Sequence, residues 1–181
     1  MKSAILVLMA GAVCALAGPP DRLTSSQVLD LWVSNVESEV VSAAAALGED
    51  KYEFAPTAGE FHGVRTFAGQ IKHLAANNYL VGAKILGEPT PHGERTEEAP
   101  ASVKTKTEVM EYLKGSFAYL HRAIATIGDQ ALTDPIPGTK GTWQRTRLGL
   151  AVDGVAHSYD HYGQMVEYLR MNGIVPPASR K

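Results

Sequence analysis

Cysteine is nearly absent: Cys14 is the only one in 181 residues. A lone thiol cannot close an intramolecular disulfide, so the fold must be stable by core burial alone. A chain of this length is sufficient for that. A basic excess is also lacking. Lys and Arg number 17 against 19 Asp and Glu, for a formal net charge of -2. A phosphate-binding surface shows a basic surplus or long basic runs. Here the runs are only Arg145 to Arg147 and the Arg180-Lys181 tail, so no nucleic-acid partner is expected. There is no internal repeat, no sustained strand alternation and no loop with the pattern of a phosphate cradle or nucleotide pocket. What is present, 45% apolar and 20% charged residues, is the composition of a soluble globular protein and not of a disordered chain. The length fits one domain.

The first residues have the pattern of a leader. Lys2 supplies a positive start, and Ile5 to Val13 is apolar but too short to span a bilayer comfortably. Ala15-Leu16-Ala17 is a small-residue cleavage pattern. These features predict a signal peptide over 1–17, cleaved after Ala17, and a mature domain over 18–181. That domain would be periplasmic or secreted, without thiol and without a stable membrane span. Cys14 allows a rival lipoprotein reading, but Val13 stands where a small residue is expected. A buried N-terminal helix would carry polar residues on one face.

Breaker-rich segments divide the rest into four helical stretches, an all-α pattern consistent with a bundle. The first runs from about Thr24 to Leu47, with Gly48 as its expected C-cap. Leu29, Trp32, Val33, Val36, Val40 and Ala44 recur along it at helical spacing. The second is expected from about Val64 to Leu86, ended by Gly87, with Phe67, Ile71, Leu74, Tyr79 and Ile85 as its apolar side. The third starts near Thr105 at a Thr-x-x-Glu capping box, carries Val109, Tyr112, Leu113, Phe117, Leu120, Ile124 and Ile127, and ends at Gly128. The fourth is expected from about Thr142 to Met171, where Asn172-Gly173 and Pro176-Pro177 stop it. Two connections are longer than bundle loops usually are, and such loops often shape a site.

Of the six histidines, His157 and His161 lie four residues apart on the fourth helix, hence on one face. Neutral imidazole is a common metal ligand. Two ligands do not make a site; a third must come from another element. His73, in the middle of the second helix, can face the pair across the core. Gln70 and Asn77 share its face, where polar groups would be costly in a plain apolar core. Asp153 lies one turn before His157 and could orient that imidazole, bind the ion or act as a base. The pair is not a His-Glu-x-x-His motif, because Ser158 stands where the glutamate would be. Spacing alone leaves open that the histidines are simply solvated or hydrogen-bonded.

The segments FHGVRTFAGQIKHLAANNYLVGAKILG and HSYDHYGQMVEYLRMNGIVPPAS resemble the second and last helices of the DinB/YfiT-like family of metal-dependent enzymes. The resemblance extends from about Thr24 to Ser179. It implies a four-helix bundle of up-down-down-up type. It also implies a divalent ion held by one histidine of the second helix and two of the last, here His73, His157 and His161. Homodimers are common in the family; Trp32, Trp143 and the first helix could serve one, although membership of the core is the expected role of both tryptophans. Relatives that use low-molecular-weight thiols are cytosolic, which conflicts with an exported chain.

Three histidines leave coordination positions open, the pattern of a catalytic site. The expected cofactor is Zn²⁺ or Ni²⁺. The expected activity is metal-dependent hydrolysis of a small molecule of unknown identity, with Asp153 and Gln164 as candidate catalytic residues and Asp160 as a further base. The alternatives are a non-catalytic metal-binding or dimeric interaction protein and a thiol-dependent transferase. Of the remaining histidines, His62 could rim the pocket, while His92 and His121 are expected at the surface.

Overall fold

The computed structural model describes residues 22–139 and 145–180. The expected signal peptide, its cleavage point and Trp143 lie outside the described residues. Helices α1 (Ser25–Ala46), α2 (Phe67–Leu86), α3 (Lys106–Ala125) and α4 (Arg147–Met171) make up the bundle. Each of α1 and α2 packs against both α3 and α4. Side-chain contacts give the directions. Asn78 reaches Ser116, and Gly82 faces Tyr119 and Ala123, so α2 and α3 run parallel. Gln70 meets Gln164, and Val81 lies against Gly154, so α2 and α4 are antiparallel. Asp30 pairs with His121 while Lys106 reaches Ala45, so α1 and α3 are antiparallel as well. The order is therefore up-down-down-up.

The inward stripes of α1, α2 and α3 follow the predicted periodicity apart from Trp32, and α4 adds its own. Val33, Val36, Val40, Ile71, Leu74, Leu113, Phe117, Leu120, Leu150, Met165 and Leu169 are fully buried, each contributing roughly 1.5–3 kcal/mol of apolar burial where the side chain is large. At the α2–α3 seam two glycines allow the backbones to approach. A Cβ on Gly82 would stand 2.6 Å from the Tyr119 ring, and one on Gly115 would stand 2.6 Å from the Tyr79 hydroxyl.

Helix ends follow local chemistry. Thr24 with Gln27 and Thr105 with Glu108 close reciprocal capping boxes. The second helix starts at Phe67 and not near Val64, because Thr66 Oγ1 accepts from Gly69 N and the next free N–H groups go elsewhere: Phe67 N to Phe54 O, and Ala68 N to Tyr52 O. The fourth starts at Arg147, later than expected. Thr146 Oγ1 caps it, and the preceding chain is tied back by an Ile136 N to Arg145 O bond. Gly48 is not a left-handed cap; α1 ends at Ala46, where Lys106 Nζ donates to the carbonyls of Ala45 and Leu47, placing a cation on the negative end of the helix dipole. The third helix likewise ends at Ala125, before Gly128. The predicted Gly87 and Gly173 stops both hold with positive φ. Gly173 N bonds Arg170 O and Ile174 N bonds Leu169 O, a Schellman closure.

Trp32 is not core. It is 55% exposed, because the buried stripe runs through Val33 and Val36. The indole sits instead at a shallow apolar groove between α1 and α4, with Val152, Val155 and Tyr159. Among the described residues no helix is long and apolar enough to cross a membrane.

Candidate metal centre

The antiparallel α2–α4 seam brings His73 level with His157 and His161. His157 Nε2 is 3.2 Å from His73 Nε2 and 3.0 Å from His161 Nε2, and the three potential ligand atoms all lie within 4.8 Å of one another. His73 and His161 are buried, whereas His157 is half-buried and gives the cluster a side towards solvent.

The surrounding hydrogen bonds fix the ring tautomers. Asp160 is a carboxylate and only accepts, so Gln164 turns its Nε2 to Asp160 Oδ2 (3.0 Å) and its Oε1 to Gln70 Nε2 (2.8 Å). Gln70 Oε1 then faces His161 Nδ1 at 2.6 Å, which must donate. On the other side His73 Nδ1 donates to the backbone oxygen of Glu97 at 3.0 Å. Both rings therefore present an Nε2 lone pair to the centre, the outer-sphere arrangement that metal-binding histidines need.

Electrostatics disfavours the charged forms of His157 and His161. Burial, and then the adjacent imidazoles of His157 and His73, push the His161 pKa down to about 3. His157 is lowered by burial and by His73, against an opposing pull from Glu97, Asp153 and Asp160. At neutral pH these nitrogens hold lone pairs rather than protons. Facing one another at 3.0–3.2 Å, they form a donor set that a divalent cation satisfies. The three histidines therefore fit such an ion.

This geometry is accompanied by a sequence match: the family model described as the DinB superfamily covers residues 34–165, more than half of the chain. The chain belongs to the DinB superfamily. No curated protein matches it. The DinB match includes all three histidines together with Gln70, Glu97 and Gln164.

Other expected site residues are placed as follows. Gln164 does not face the nitrogens directly but holds Gln70. Asp153 is half-exposed on α4, acting on His157 as a nearby negative charge, and its oxygens are not among the atoms of the cluster. Asn77, one turn beyond His73, is buried, with an Nδ2 that has no hydrogen-bond partner among the described residues. His62 is exposed. His92 is exposed but packs its ring on Tyr79 and Tyr112. His121 is not free at the surface: it is wedged between Asp30 (2.5 Å) and Glu37 (3.0 Å) of α1. A cleft of about 560 Å³ lies towards the C-terminal end of α2, lined by Leu80, Lys84, Glu88, Ile136 and Thr139, and none of the three histidines lines it.

Sequence reasoning missed Glu97. It lies in the α2–α3 connection, which is stapled to α3 by two carboxylate–tyrosine bonds: Tyr119 to Glu88 (2.8 Å) and Tyr112 to Glu94 (2.7 Å). Burial and the partner carboxylates raise both phenols, Tyr119 to about 12, so they remain protonated donors. The stapled loop delivers the Glu97 backbone to His73. The only signal in the sequence was the unusual length of the connection.

Proposed function

We propose that this DinB-superfamily protein is an exported metal-dependent hydrolase, with Zn²⁺ or Ni²⁺ held by His73, His157 and His161. The convergence of three imidazole Nε2 atoms carries the metal assignment. The half-buried position of His157 supports access for a substrate, and the leader pattern of the first 17 residues supports export. A bound ion of this kind supplies Lewis acidity, polarising a substrate oxygen and lowering the pKa of water. The chain's own residues do the rest. Gln70, held by Gln164 and Asp160, sets the His161 ring; Gln164 is thus a positioning residue. The Glu97 carbonyl sets the His73 ring. Asp153, half-exposed and electrostatically coupled to His157, is placed to take a proton from the nucleophile as a general base.

Elemental analysis of mature wild type beside His157→Ala tests the assignment. About one equivalent of metal in the wild type is expected, and little in the variant, since loss of one ligand in three sharply weakens binding. Absence of metal after incubation with Zn²⁺ and with Ni²⁺ would sink the reading. A loaded protein that hydrolyses none of a panel of p-nitrophenyl esters and phosphoesters would retain the ion but lose the hydrolase assignment.

A further inference from the structure

Gln70, His73 and Asn77 follow one another on α2 at intervals of three and four residues and therefore share one face. Gln70 and His73 meet α4 across it: Gln70 bonds Gln164 and His161, and His73 faces His157. Asn77 is the exception. It is only 5% exposed, yet its Nδ2 has no hydrogen-bond partner among the described residues. An amide nitrogen withdrawn from water without a partner is destabilising, whereas an apolar side chain of similar size would carry no such penalty. The packing of α4 explains the orphan. Val81 lies against Gly154 and His73 against His157, so Asn77 is level with the stretch of α4 between those two residues. Val155 and Ala156 fill that stretch, and neither side chain can accept a hydrogen bond.

We propose that Asn77 is a substrate-binding residue of the metal centre, its carboxamide donating to an acyl or phosphoryl oxygen of the substrate. The proposal rests on the metal assignment above. One helical turn, about 5.4 Å, separates Asn77 from His73 along their common face. A molecule that reaches the histidines from the open side at His157 is therefore within reach of the carboxamide, and its oxygen is the acceptor that the fold withholds. Gln70 occupies the equivalent place on the other side of His73, but both ends of its carboxamide are already engaged, with Gln164 and with His161. Of the two amides that flank His73 on this face, only Asn77 keeps a donor in reserve. A buried donor left unmatched within the fold is the kind of local inconsistency that a binding site retains at the expense of stability.

Asn77→Leu tests this, because it keeps the side-chain size and removes the donor, and two measurements should move in opposite senses. In metal-free protein the urea midpoint of the variant should equal or exceed that of the wild type, since no hydrogen bond is lost. In Co²⁺-loaded protein, acetohydroxamate is titrated as a small probe carrying a carbonyl oxygen, and its binding is read from the visible spectrum, independently of activity. The variant should bind it about fivefold more weakly, with Co²⁺ affinity unchanged. Asn77→Ala, which cannot clash with its neighbours, should show the same loss of hydroxamate binding. Wild-type hydroxamate affinity in both variants would overturn the proposal and leave the three-histidine site intact. A parallel loss of Co²⁺ affinity would overturn it too, because Asn77 would then support the ligands and not the substrate. A lowered midpoint in Asn77→Leu would do the same by showing that the amide is partnered within the fold. Failure of the wild type to bind Co²⁺ would instead remove the metal assignment itself.

Discussion

At the α2–α4 seam three imidazoles face one another. At the α1–α3 seam a single imidazole, His121, stands between two carboxylates, Asp30 and Glu37. In the first group His157 and His161 are driven towards neutrality, His161 down to about 3. In the second, burial works against the charged ring but is outweighed by the two acids, so the pKa of His121 is raised. One residue type is thus given opposite jobs by its neighbours. The α2–α4 seam gathers imidazole nitrogens against one another; the α1–α3 seam sets its imidazole between carboxylates. Only the former is arranged for an external cation, although both pair helices through histidine.

The comparison breaks most visibly along the pH axis. In metal-free protein the His161 pKa falls from 6.5 in the unfolded chain to about 3. The unfolded state therefore binds the proton first, and stability is lost as pH falls from 6.5 towards 3. A tenfold difference in proton affinity between the two states is worth about 1.4 kcal/mol. Discounted for solvent reaching the cluster beside His157, the loss attributable to His161 by pH 4 is on the order of 2 kcal/mol. Urea unfolding of wild type and His161→Leu, both stripped of metal, measures it: the variant should gain on the wild type as pH drops. A stability gap that stays constant from pH 7 to pH 4 would contradict the neutral-imidazole account.

A change of intermediate size isolates the outer shell. Gln70→Leu keeps volume in a buried position but removes the acceptor for His161 Nδ1 and cuts the link to Gln164 and Asp160. Metal affinity should fall about tenfold or more. Glu37→Gln, which removes the charge of an acceptor at the other seam, should leave metal affinity unchanged. If Gln70→Leu binds as tightly as wild type, the relay does not orient the ligand.

Helical periodicity explains which parts of this were legible beforehand. Val33, Val36 and Val40 announced one inward stripe, and His157 with His161 announced a shared face, because both follow from 3.6 residues per turn. The facing of His73 came with the family resemblance and with its mid-helix position. Periodicity resolves a face only to within about one residue, and Trp32, next to Val33, fell on the wrong side of that limit. Helix starts were misplaced where distant carbonyls, Phe54 O and Tyr52 O, take the first N–H groups of α2. Contacts of this kind are tertiary and leave no local trace. Glu97 was invisible for the same reason: a loop has no register, and its backbone reaches His73 through a connection anchored on α3 by the tyrosine staples. The surface placement expected for His121 failed because its partners lie on α1, 84 and 91 residues earlier in the chain.

The smallest expected effect belongs to the α1–α3 seam. His121 and its acids are partly solvated, with side-chain exposures of 25%, 45% and 31% for His121, Asp30 and Glu37. Ion pairs in such surroundings are worth only about 0.2–1 kcal/mol. Because the folded pKa of His121 is raised above 6.5, this contribution is fully present below pH 6.5 and is lost as pH rises through the folded value, the reverse of the His161 case. A double-mutant cycle of His121→Ala with Asp30→Asn, read from urea midpoints, should give a coupling of about 0.5 kcal/mol at pH 6, falling by half or more at pH 9. If the coupling is equal at both pH values, the neutral ring holds Asp30 by an ordinary hydrogen bond, and the contrast between the two seams reduces to burial rather than charge.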